Sequence, residues 1–186
     1  MFCFLVKRVH VLFFLLLFWT LALGRLSYGR AQEGPDVAQG VQLFAERHTA
    51  EAQRFFDAFV RAQPENPVAL FYLGRIAFEE QRYAQAIEQL EKAVHFDENN
   101  SDYHLWLGRA YGHEAQRSAA LRQPFLARKV KEHFEKAVEL NPDNLDARVD
   151  LQEYYEKAPV IFGGGVEKAQ QQAQEIARRK QQQTQR

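Results

Sequence analysis

Five histidines lie beyond residue 31: His48, His95, His104, His113 and His133. Imidazole is the side chain best suited to proton transfer or metal ligation near neutral pH. None of the five stands four residues from another, so no helical turn would present two of them together. His104 and His113 are nine apart, about 180° around a helix at ~100° per residue. Neither His-Glu-x-x-His nor Gly-x-Ser-x-Gly occurs. The only cysteine is Cys3, which leaves the body without a thiolate ligand or thiol nucleophile. Gly163, Gly164 and Gly165 precede an expected helix and could offer backbone N–H groups to an anion. They lack a following Lys-Ser/Thr and a preceding strand, and Glu167 would repel phosphate, so a flexible loop is expected. The expectation is no catalysis, no cofactor and no metal. Arg75 and Arg109 recur 34 residues apart.

Charge narrows the partners. The 186 residues sum to a formal charge of +0, unevenly spread. Residues 1–31 hold Lys7, Arg8, Arg25 and Arg30 and no acidic group, which leaves −4 on the rest. Nucleic-acid binding draws on clustered Lys and Arg, so no nucleic-acid partner is expected.

Lys7 and Arg8 precede residues 11–23, which are apolar except for Thr20. A basic region followed by about 7–15 apolar residues is the pattern of a signal peptide. It falls short of the ~20 needed to span a bilayer. Gly29-Arg30-Ala31 suits a cut before Gln32. The other reading is an uncleaved anchor over residues 9–26, with Lys7 and Arg8 kept cytoplasmic. Either exports the body, to the periplasm or as a secreted protein. The membrane enters as a partner only through this segment, if it stays.

The elements that must position the arginines repeat. Gly40, Gly74 and Gly108 recur at 34 and 34; Ala52 and Ala86 share that spacing; Leu73-Gly74-Arg75 returns as Leu107-Gly108-Arg109. Apolar Ala86, Ile87, Leu90, Ala93 and Val94 fall on one helical face. Asn66-Pro67 and Asn141-Pro142 punctuate the helices, because proline removes a donor and disfavours helix before it. Residues 67–100 read Leu70-x2-Leu73-Gly74-x2-Ala77, then Ala86-x3-Leu90. Residues 101–144 read His104-x2-Leu107-Gly108-x2-Tyr111, then Val130-x3-Phe134 and Pro142.

This 34-residue pattern resembles the tetratricopeptide repeat. The resemblance implies an all-α fold, with antiparallel helix-hairpin repeats stacked as a right-handed α-solenoid. A signal peptide or anchor helix over 1–31 would precede it. The domain would cover 32–180, with repeats 33–66, 67–100, 101–144 and a divergent 145–180, before a disordered tail at 181–186. Proline comes ten residues late in the third repeat, which places an insertion within 116–128, where Pro124 suggests a break or loop. Lengthened helices that project beyond their neighbours would also absorb it. The fourth repeat carries five extra residues around Ala158-Pro159 and the three glycines. This closing pattern resembles that of a group of exported bacterial tetratricopeptide proteins.

Family members line a concave groove with positions 2, 5, 9, 12 and 13 of the first helices. Carried onto this chain, the resemblance gives Val68, Phe71, Arg75, Phe78 and Glu79, then Asp102, Leu105, Arg109, Gly112 and His113. Arg75 and Arg109 would stack on adjacent helices, where guanidinium reads a carboxylate bidentately; the alternative is that both are solvated or pair with Glu79 and Asp102. The Lys/Asn clamp with which some members hold a chaperone C-terminal tail is not recognisable. The resemblance implies a protein- or peptide-binding scaffold or adaptor of the cell envelope, its partner another protein or an extended peptide. The alternative is a small-ligand or lipid-binding carrier using an apolar groove. An enzyme would need a cleft with convergent carboxylates or histidines.

Overall fold

The computed structural model describes residues 36–185. The leader at 1–31, its cut before Gln32 and Cys3 lie outside them. The unit Val37–Arg186 is built of α1 (Val37–Ala45), α2 (Thr49–Ala62), α3 (Pro67–Glu79), α4 (Tyr83–Phe96), α5 (Ser101–Arg117), α6 (Gln123–Leu140), α7 (Leu145–Lys157), a 3-10 turn (Val160–Phe162) and α8 (Val166–Thr184). No strand occurs among the described residues, and no helix there is long and apolar enough to cross a membrane. The helix α8 runs to Thr184, one turn past the residue 180 at which the domain was expected to end.

Three asparagines start the first helices of the repeats. Asn66 Oδ1 accepts from Ala69 N at 3.0 Å, Asn100 from Asp102 N at 3.0 Å, and Asn144 from Ala147 N at 3.1 Å. Each satisfies backbone donors that a helix leaves unpaired. The hairpin turns also repeat: Arg47 and Gln81, 34 apart, take the left-handed conformation at φ 65° and 60°. There Arg82 N donates to Ala77 O and His48 N to Leu43 O, closing α3 and α1 with the same left-handed cap.

Glycine sets the hairpin spacing. A Cβ at Gly74 would lie 2.6 Å from Leu90 Cγ, one at Gly108 2.6 Å from Phe134, and one at Gly40 2.7 Å from Phe56. Phe56, Leu90 and Phe134 are the second residues of the motifs led by Ala52, Ala86 and Val130. The first helices touch one another along the stack (α1 with α3, α3 with α5, α5 with α7), whereas the second helices do not. Elements that crowd together lie on the inside of a curve, so the first helices form the inner layer.

The ten-residue insertion is divided. The helix α5 has 17 residues against 13 in α3, α6 has 18 against 14 in α4, and the connection 118–122 has five against three at 80–82. Pro124 breaks nothing: it lies in the first turn of α6, where its missing N–H would have no partner.

The three glycines correct the expected flexible loop. Gly163 is left-handed at φ 89°, and a Cβ at Gly164 would lie 1.9 Å from Ala158 O. Gly163 N, Gly164 N and Gly165 N donate to Val160 O, Pro159 O and Tyr155 O, and Tyr154 Oη donates to Phe162 O at 2.8 Å. These N–H groups are spent inside a packed turn, so no anion site remains.

Candidate functional site

Arg75 and Arg109 are each the ninth residue of a first helix, and each faces the sixth residue of the next. For Arg75 that residue is Trp106, whose ring centroid lies 4.2 Å from Cζ. Phe44 and Phe71 complete an aromatic surround, at 4.7 and 5.8 Å from the same carbon. No ion pair or side-chain hydrogen bond reaches Arg75 among the described residues, and its buried Nε has no partner. Burial, the main cause, holds its pKa below the ordinary guanidinium value; Glu79 and Asp102 act weakly in the other direction. Arg109 differs. Its Nε donates to Asp150 Oδ2 at 2.5 Å, while its Cζ lies 4.8 Å from the Trp106 centroid.

The other expected groove residues divide. Glu79 is exposed, lies 3.8 Å from Arg47 and, one turn along α3 from Arg75, makes no ion pair with it. Asp102 accepts from Asn144 Nδ2 at 3.0 Å, joining the second inter-repeat turn to the third. Val68 is half-buried near the start of α3. Phe71 and Leu105 are corrections. Both are buried in the core, Phe71 with its ring 4.8 Å from Tyr103, because the fifth position packs between successive first helices. Neither is available to a ligand.

Phe78, Gly112 and His113 meet at a cavity of about 540 Å³. Its walls also include Trp106, Val130, Phe134 and Tyr154, with Arg109, Asp150, Glu153 and Lys157 among the charged groups. Phe78 packs edge-on against Trp106 and His113, and His113 stacks on Tyr83 at 4.9 Å. The space arises from two departures. The twelfth residue of α3 is Phe78 but that of α5 is Gly112, and lengthened α5 and α6 carry the walls past the end of α3. A Cβ at Gly112 would meet only Val130 Cγ2, at 3.9 Å. Trp106, Asp150 and the α6 wall were missed because positions outside the family's usual groove set were not considered. The signal for Trp106 was its place three residues before Arg109, on the same helical face.

A second polar cluster is buried behind α5. His104 Nδ1 and His133 Nδ1 are 3.0 Å apart, and His104 Nε2 is 3.1 Å from Glu98 O. The carbonyl can only accept, so Nε2 of neutral His104 carries the proton and its Nδ1 accepts from His133 Nδ1–H. Burial holds both imidazoles below their usual pKa, His133 down to about 4. Among the described residues no group of three or more His, Cys, Asp or Glu could hold a metal.

A tetratricopeptide-repeat family model matches residues 37–103, covering α1 to the start of α5. Residues 37–103 carry tetratricopeptide repeats. The tetratricopeptide stack is similar to a thermophilic protein of this class from Thermus thermophilus, at 19% identity and TM-score 0.61, over 75% of this chain and 70% of that one. It is similar to YrrB, described as having an unusual peptide-binding site, at 20% identity and TM-score 0.60, over 77% and 66%. It also resembles the first such domain of Spaghetti (RPAP3) bound to an HSP90 peptide, at 20% identity and TM-score 0.55, over 64% and 86%. At these identities the likeness shows the fold. No curated protein matches the chain in sequence.

Proposed function

We propose that this protein is a non-catalytic scaffold of the cell envelope that captures an extended peptide segment of another protein. The observation that carries this reading is Arg75, a half-buried guanidinium with aromatic walls and no ion-paired carboxylate among the described residues. A carboxylate from a peptide side chain or C-terminus would supply the missing acceptor. The cavity beside it suits a bulky apolar side chain, which Phe78, Trp106 and Tyr154 would contact. Two of the similar folds are described with peptide sites, which fits the same use of the inner layer. Export rests on the leader's basic and apolar pattern. The lipid-carrier alternative has less support, since charged Arg109, Asp150, Glu153 and Lys157 line an open cavity.

Selection of displayed peptides on the intact protein tests this reading. Enriched peptides should pair an acidic group with a bulky apolar residue. Arg75→Gln should weaken them by about 10- to 100-fold, the worth of a charge-assisted hydrogen bond. Gly112→Leu should weaken them by filling the cavity. Unchanged binding in both variants would remove the site.

A further inference from the structure

Helix hairpins that alternate in direction place all turns within repeats on one edge and all turns between repeats on the other. The between-repeat edge carries Glu65, Asp97, Glu98 and Asp143 among asparagines. The within-repeat turn of the third repeat has the opposite character, while that of the last repeat, residues 158–165, is uncharged between Lys157 and Glu167. Residues 115–131 hold Arg117, Arg122, Arg128, Lys129 and Lys131 and no acidic group. Leu121 is 93% exposed and Phe125 64% exposed at this turn. On the neighbouring turn Val160 and Ile161 are 79% and 83% exposed. That 3-10 turn packs on α6, where a Cβ at Gly163 would lie 2.9 Å from Lys131 Cδ.

The cations are not all neutralised within the fold. Lys129, Lys131 and Lys157 pair with Glu132, Glu135 and Glu153, and Arg117 donates to Gln81 O. The exposed side chains of Arg122 and Arg128, next to Leu121 and Phe125, make no ion pair or hydrogen bond among the described residues. Apolar side chains projecting from two turns, with two unmatched arginines beside Leu121 and Phe125, match the two components of interfacial membrane binding: apolar entry and attraction to anionic headgroups. We propose that this edge docks on an anionic lipid surface. Leu121, Phe125, Val160 and Ile161 enter the headgroup layer, and Arg122 and Arg128 face lipid phosphates. The proposal does not depend on what the groove binds.

The leader could hold the chain on a vesicle by itself, so the test must read position. The full chain with Cys3→Ser takes an environment-sensitive dye through Leu121→Cys or, on the opposite edge, Glu65→Cys. Vesicles containing phosphatidylglycerol should shift the residue-121 dye to the blue and leave the residue-65 dye unchanged. Arg122→Glu with Arg128→Glu should weaken that response about tenfold or more. Bound protein with an unshifted dye at residue 121 would overturn the proposal, as would equal shifts on phosphatidylcholine alone. A shift produced only by added protein would assign the edge to a protein partner and overturn it too.

Discussion

Arg75 on α3 and Arg109 on α5 occupy the same position in successive repeats and reach the same position of the next first helix. Arg75 finds the ring of Trp106 there, and Arg109 finds the carboxylate of Asp150. One substitution in the sixth position thus separates a cation held for a ligand from a cation used to join two repeats. An aromatic face attracts a guanidinium but accepts none of its five hydrogen bonds in the plane, so donors are left over. The Asp150 carboxylate takes one of them, from Arg109 Nε. Repeat period alone therefore does not say which arginine binds; the neighbour across the interface does.

The largest effect that sharpens this comparison comes from pH. The helix α5, which carries Arg109, also carries His104 of the buried imidazole pair. Both histidines have folded pKa values below their usual ~6.5, His133 at about 4. The unfolded chain therefore takes up protons first as pH falls. Stability is fully present above about pH 6.5 and declines toward pH 4, by up to about 3 kcal/mol for His133. Glu98 and Glu132 oppose the shift of His104, while Lys136 adds to it. Urea midpoints measured across this window should fall with pH, and His133→Phe should flatten the trend. Hydrogen exchange should show α5 and α6 loosening before α3 and α4.

Next in size is removal of the Arg109 partner. Asp150→Ala strands a half-buried guanidinium and should cost about 1–2 kcal/mol, a value reduced by partial solvent access. Arg75→Gln has no ion pair to lose, only its contacts with the aromatic rings, and should cost about 0.5–1 kcal/mol. Equal losses in the two variants would break the distinction. Two glycines of α5 supply a further contrast. Gly108→Leu should cost about 1–3 kcal/mol by driving into Phe134, while Gly112→Leu, facing open space, should stay within about 1 kcal/mol. Thermal or urea unfolding of the pair checks this.

Much of the scaffold was legible because one spacing fixes several contacts at once. Gly40, Gly74 and Gly108 meet the aromatic or leucine that ends the motif on the returning helix, and asparagine caps fall where each first helix starts. The site was less legible. Phe71 and Leu105 sit at positions that line grooves in related repeats, yet here they fill the space between first helices. The two arginines could be paired by sequence, but their opposite environments depend on residues 31 and 41 positions downstream. The late proline of the third repeat signals extra residues, while their division between two helices and a turn follows from Pro124 opening α6.

The central claim is that Arg75 awaits an acceptor and Arg109 already has one. Side-chain Nε–H NMR during titration with a selected peptide, in its carboxylate and neutral amide forms, tests it most directly. The Arg75 resonance should move downfield and sharpen with the carboxylate peptide alone, while that of Arg109 stays in place. Movement of Arg109 with Arg75 unchanged, or an equal response to both peptide forms, would contradict the account.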